Sequence, residues 1–146
     1  MSIFTVGFTQ KSAEQFFSKL QQHGVQKLLD VRLKHNSQLS GFAKSRDLPY
    51  LCRSLVGCDY HIFPELAPEA AMLNAYRKGS LGWEGYEAEY NNLMIRRRIA
   101  QQLTPAELDG VCLLCSEHQP HFCHRRLAVE YINRELTLDL KVVHIV

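Results

Sequence analysis

Residues 111–115 read Val-Cys-Leu-Leu-Cys, an unbroken apolar run set between Asp109-Gly110 and a long polar loop. A run of that length without alternation is the pattern of a strand covered on both faces, as in the middle of a parallel sheet. Working outward, the loop after it leads to Leu127, Ala128, Tyr131, Ile132 and Leu136, at helical spacing, and then to Lys141–Val146 (KVVHIV), a closing strand. Upstream, Thr104-Pro105-Ala106-Glu107 has the form of a capping box with proline at the first helical position. Glu84–Leu103 reads as one long helix with Tyr86, Tyr90, Leu93 and Met94 on one side. Pro68 is placed to open another helix, running to about Lys78.

The first half repeats the alternation. Ile3–Phe8 (IFTVGF) reads as a first strand, rich in aromatic and β-branched residues. Ser12-Ala13-Glu14-Gln15 is a capping box for a helix carrying Phe16, Phe17 and Leu20, with Gly24 as its stop. Gln26–Val31 and Asp59–Phe63 read as strands, and Asp47–Val56 between them as a helix. Strand and helix alternating at this length predict an α/β three-layer sandwich. It has a largely parallel sheet of about five strands, Rossmann-like or rhodanese-like, with right-handed crossovers. With 146 residues, one domain over residues 1–146 is expected.

Composition excludes several classes. Lys+Arg 17 against Asp+Glu 15 gives a net charge of +2, too little for a protein that works by blanket positive charge on nucleic acid or an anionic membrane. No run approaches the roughly 18 apolar residues of a membrane span. The opening MSIFTVGFTQKS lacks the basic start and long apolar core of a secretion signal, so a cytoplasmic location is expected. The five cysteines, Cys52, Cys58, Cys112, Cys115 and Cys123, are an odd number in a chain without an export signal; reduced thiols follow.

In a parallel sheet, ligands bind beyond the carboxyl ends of the strands. Those ends carry Gly7-Phe8-Thr9-Gln10 after the first strand, and Asp30, Arg32 and a polar loop with His35 and Ser40 after the second. The third is followed by Pro64–Pro68. The fourth leads into Cys115-Ser116-Glu117-His118-Gln119-Pro120-His121-Phe122-Cys123-His124-Arg125-Arg126. The expected site therefore joins Cys115, Glu117, Cys123 and His124 as catalytic candidates with Thr9, Asp30, Arg32, Ser40 and Arg125 as binding candidates. Cys123 or His124 falls where the next helix begins, and helix-start amides and dipole lower a thiol pKa. Arg125 offers a planar fork for a carboxylate or phosphate. Glu117 opposes ionisation of Cys115, so electrostatics favour Cys123 as the thiolate, while position favours Cys115. Asp30 and Arg32 equally suit a buried ion pair bracing the loop. His144 suits a satisfied, partly buried histidine, and Cys52, Cys58 and Cys112 suit the core.

Two sharper patterns fit less well. A zinc site on Cys115, Cys123 and His124, with His118 or His121, lacks a second tight Cys pair, and residues three apart on a strand face opposite ways; no metal and no cofactor are expected. A phosphatase-like cradle has a strand-end Cys followed by an Arg at the helix start, but ten positions from Cys115 to Arg125, with Glu117 among them, are too long and too acidic for it. Arg96-Arg97-Arg98 spread around a helix and read as a solvated face.

These segments resemble the family described as domain of unknown function 488. The motifs are IFTVGFTQKSAEQFFSKL, LLDVRLKHNSQLSGFAKSRDLPYL, DYHIFPELAP, LLCSEHQPHFCHRRLAVEYI and KVVHIV, which together span nearly the whole chain. The departure is Ala67-Pro68, where many members carry glycines. The resemblance implies no activity, but it adds weight to Asp30, Arg32, Cys115, Glu117, Cys123, His124 and Arg125. The expected function is an enzyme acting on an anionic small molecule or nucleotide-like group by Cys/His chemistry. The alternatives are a binding module for nucleotide or nucleic acid with Arg96–Arg98 on its rim, and a purely structural lock of the loop on the sheet. The oligomeric state is left open.

Overall fold

Every residue of β4 (Val111–Cys115) is buried, as its unbroken apolar run predicts. The computed structural model describes residues 1–146 and places β4 at the centre of a five-stranded, all-parallel sheet of order β3-β2-β4-β1-β5. The other strands are β1 (Ser2–Gly7), β2 (Lys27–Asp30), β3 (Asp59–Ile62) and β5 (Lys141–Ile145). Register pairs Gly7 with Cys115 and Asp30 with Leu114, so three strand ends finish at one level.

Side chains alternate across the sheet and build two cores. Cys112 and Leu114 join Phe4, Val6, Leu28 and the helices α1 (Ala13–Gln22) and α2 (Leu48–Leu55) on one face. Val111 and Leu113 face the opposite layer, formed by α3 (Ala70–Arg77), α4 (Trp83–Arg96), α5 (Ile99–Gln102) and α6 (His124–Glu135). The fold is thus a three-layer α/β sandwich. The Ser12 capping box forms as read: the Gln15 amide donates to Ser12 Oγ at 3.1 Å and the Ser12 amide donates to Gln15 Oε1 at 2.9 Å. A cap of this kind contributes about 1 kcal/mol.

Three local expectations are corrected. The helix expected over Glu84–Leu103 breaks, because Arg98 takes a left-handed φ of 55° between α4 and α5. Just before the break, Arg97 Nη1 donates to the carbonyls of Glu65 at 2.7 Å and Ala67 at 2.6 Å, tying the helix end to the loop after β3. Thr104 makes no cap bond, and Pro105–Glu107 closes only a 3₁₀ turn. Pro68 stands ahead of α3, whose cap position is Glu69. No helix is long and apolar enough to cross a membrane.

From β2 the chain leaves toward β3 on the α1/α2 face. From β4 it leaves toward β5 on the opposite face. Adjacent strands whose connections part in this way open a crevice above their carboxyl ends.

Candidate functional site

The crevice is closed at its base by one hydrogen bond between distant segments. His124, the first residue of α6, uses Nε2 to donate to the carbonyl of Val31 at 2.7 Å. The Asp-Val-Arg turn after β2 and the Cys-His-Arg turn before α6 therefore meet. A cavity of about 210 Å³ lies above them. Arg32 and Lys34 line one wall; Cys115, Ser116 and Glu117 another; Cys123 and His124 the start of α6; and α3 covers it with Asn74, Tyr76 and Arg77.

Asp30, behind the wall, holds Arg32 in a bidentate ion pair. Arg32 Nε donates to Oδ1 at 2.8 Å and Nη2 to Oδ2 at 2.6 Å, with both side chains buried. Tyr60 donates its hydroxyl to the same carboxylate. Burial and that bond to Asp30 push the Tyr60 hydroxyl well above its usual range. The Arg32 guanidinium also lies over the Phe8 ring at 5.3 Å. Its remaining nitrogen, Nη1, is buried with no hydrogen-bond partner.

Arg125 is fully buried and differs in kind. Its Nη1 donates to the backbone carbonyl of Glu117 and lies 3.6 Å from Cys115 Sγ, while Nη2 donates to the His118 carbonyl at 3.3 Å. No carboxylate lies within ion-pairing distance. Gly7 makes room for this arrangement: a Cβ there would stand 1.6 Å from the Glu117 carbonyl oxygen and 2.6 Å from Arg125 Nη1. The turn after β4 also rests on β1 through the Phe8 amide, which donates to the Cys115 carbonyl at 3.3 Å.

A buried guanidinium needs a counter-charge, and Cys115 is the group beside it that can supply one. Burial alone pushes the Cys115 thiol up. The Cys123 S–H, the Arg125 guanidinium and the Glu117 amide, all directed at the sulfur, outweigh that and hold it below the ordinary value of 9.0. Cys123 moves the other way, raised by burial and by donating its proton to Cys115. The two sulfurs are 2.7 Å apart, and such a pair titrates as one unit. The sequence-based preference for Cys123 as the thiolate is therefore reversed. It combined the helix-start position of Cys123 with the Glu117 carboxylate, whereas burial and its bond to Cys115 raise Cys123, and Glu117 meets Cys115 through its backbone amide with its side chain exposed.

Burial lowers the His124 pKa to about 4, so the ring is neutral near pH 7. It does not titrate near neutrality as its ordinary value suggests. With the Nε2 proton on the Val31 carbonyl, Nδ1 carries the lone pair and faces Cys123 Sγ at 4.0 Å.

Thr9 and Ser40 stand outside the cavity. Thr9 donates its hydroxyl to the Ser116 carbonyl at 2.6 Å, and Ser40 is buried in the 3₁₀ turn Gln38–Ser40. Cys115, Cys123 and His124 are neighbours, but no three His, Cys, Asp or Glu side chains are grouped to hold a metal ion. Arg96 faces Glu69 at 3.6 Å and Arg97 is held by carbonyls, so the arginine run presents no common basic surface. Sequence reasoning missed Tyr60, Lys34, Asn74 and Arg77. Tyr60 had a signal: it lies on the strand beside β2, two positions before the partner of Asp30. The others reach the cavity only through the packing of α3 and the loop after β2, which no local pattern encodes.

A family model described as "Domain of unknown function DUF488" matches residues 12–132, most of the chain, and the protein belongs to that family. No curated protein and no solved structure matches it.

Proposed function

We propose that this member of the domain of unknown function 488 family is a thiol-dependent enzyme acting on a small anionic substrate bound between Arg32 and the Cys115–Cys123 pair. One observation carries the reading: a fully buried arginine, Arg125, has no carboxylate and faces a sulfur instead. An arrangement that holds a cysteine ionised is the means by which proteins activate a thiol nucleophile.

The remaining groups fit that role. Arg32 Nη1 has no partner within the protein and belongs to a residue of the cavity wall. Lys34 and Arg77, both exposed at the mouth, add positive charge. These donors suit a phosphate or carboxylate. The cavity volume of about 210 Å³ equals roughly seven waters at ~30 Å³ each, room for a small molecule. In the reaction the sulfur pair supplies the nucleophile. His124, neutral and held by its bond to Val31, keeps Nδ1 beside Cys123 and fixes that end of the pair, and Glu117 stands exposed at the mouth.

The test is alkylation of the native protein by iodoacetamide, mapped by mass spectrometry, with and without inorganic phosphate. Labelling at Cys115 or Cys123 is expected below pH 8, with phosphate slowing it. Lys34→Ala and Arg77→Ala are expected to weaken that protection several-fold at unchanged thermal stability. Native thiols inert to the reagent, or labelling indifferent to phosphate, would overturn the reading.

A further inference from the structure

Two sulfurs at 2.7 Å are much closer than unbonded thiols in a core normally sit, and about 0.7 Å from the ~2.05 Å of a disulfide. Both belong to the cavity wall, yet Cys115 is fully buried and Cys123 only 4% exposed. A reagent that reaches them must be small. The other three cysteines line neither this cavity nor the one beside it, which is formed by Thr9, Gln10, residues 117–119, His121 and Phe122.

We infer that Cys115 and Cys123 form a redox site that reduces a small hydroperoxide and closes to a disulfide. The inference shares the thiol pair with the function proposed above and needs none of its anion-binding groups. The Cys115 thiolate attacks one peroxide oxygen; the O–O bond breaks, leaving Cys115 as a sulfenic acid and releasing an alkoxide or hydroxide that takes up a proton. Cys123 then attacks the Cys115 sulfur. The S–S bond forms, the S–O bond breaks, and the hydroxide leaves with the Cys123 proton as water. Two thiols lose two electrons and the peroxide gains them. A dithiol reductant restores the pair by exchange.

The surroundings favour both directions. Arg125 stabilises the thiolate that opens the reaction, and the Cys123 sulfur already stands against the Cys115 sulfur it must attack. Oxidation removes the negative charge facing Arg125 and leaves a buried cation without its partner. A reduced form stabilised in this way makes the disulfide easy to reduce.

The test uses the full chain, reduced and freed of reductant, then treated with one equivalent of hydrogen peroxide. Intact mass is expected to fall by two hydrogens, with a cross-link joining the peptides of Cys115 and Cys123, and dithiothreitol is expected to restore the starting mass. In Cys123→Ser, dimedone is expected to trap a sulfenic acid on Cys115. Wild-type mapping alone decides the matter if that variant fails to fold. An unchanged mass, a cross-link at Cys52–Cys58, or bonds between molecules would overturn the inference. Alkylation that phosphate blocks, with no disulfide, removes this inference and leaves the proposed function. A disulfide without phosphate protection does the reverse.

Discussion

Cys112 and Cys115 lie on one strand, both fully buried, and differ in everything that governs thiol chemistry. Cys112 points into the α1/α2 core among Phe4, Leu28 and Leu114, and burial holds its thiol far above the ordinary value. Cys115 points to the opposite face at the strand end, where Arg125, Cys123 and the Glu117 amide reverse the same burial penalty. Burial therefore does not decide whether a cysteine ionises; the neighbours do. The same lesson separates the two buried arginines. Arg32 is matched by a carboxylate and braces a turn, whereas Arg125 is matched by two carbonyls and a sulfur.

The largest effect that can break this contrast comes from Arg125→Met, which keeps side-chain bulk and removes the charge. Two carbonyls lose their donors and the Cys115 thiolate loses its cation. Removing one member of a buried charged pair costs about 3–5 kcal/mol, measurable by urea denaturation. Cys115 in the folded fraction is expected to lose its reactivity toward iodoacetamide below pH 8. A stable variant with unchanged labelling would mean that Arg125 does not set the state of Cys115.

Next in size is the pH dependence of stability. Each pH unit by which a folded pKa departs from its unfolded value is worth about 1.4 kcal/mol. His124 falls from 6.5 to about 4, so the unfolded chain binds the proton first on acidification. Stability present above pH 6.5 is lost as pH falls toward about 4, and His124→Gln is expected to flatten that limb. For the Cys115–Cys123 pair, whose first ionisation is held below 9.0, the contribution of that step is full above pH 9.0 and lost as pH drops through it. For Cys112, raised above 9.0, it is full below pH 9.0 and lost as pH rises. Denaturation midpoints across pH are expected to show opposite changes of slope in Cys115→Ser and Cys112→Ala. Changes of the same sign would erase the contrast.

Much of this was legible in the sequence. Alternation of apolar runs and helical spacing gives the sandwich, the VCLLC run gives the central strand, and strand-end loops bring Asp30, Arg32, Cys115, Cys123, His124 and Arg125 together. The break at Arg98 was not, because three arginines in a row carry no stop signal and the tether to the Glu65 and Ala67 carbonyls is made across the fold. Nor was the choice of thiolate. Glu117 is acidic in sequence, yet it turns a carbonyl to Arg125 and an amide to Cys115. Which part of a residue meets its neighbour is fixed by the turn, and that turn depends on Gly7 of a strand a hundred residues away.

The smallest expected effect is the sharpest control. Cys112→Ala removes one sulfur from a packed core, where its only polar contact is a weak one to the Leu113 carbonyl at 3.9 Å. A loss on the order of 1 kcal/mol is expected, typical of a single core truncation. Because strand side chains alternate, that cavity opens on the α1/α2 face, with the sheet between it and Arg125. Iodoacetamide labelling and phosphate protection at Cys115 and Cys123 should therefore match wild type at every pH. A shift in Cys115 reactivity from this substitution would show that packing on the far face reaches the thiol pair, and that its ionisation is a property of the whole strand, not of the three groups that touch the sulfur.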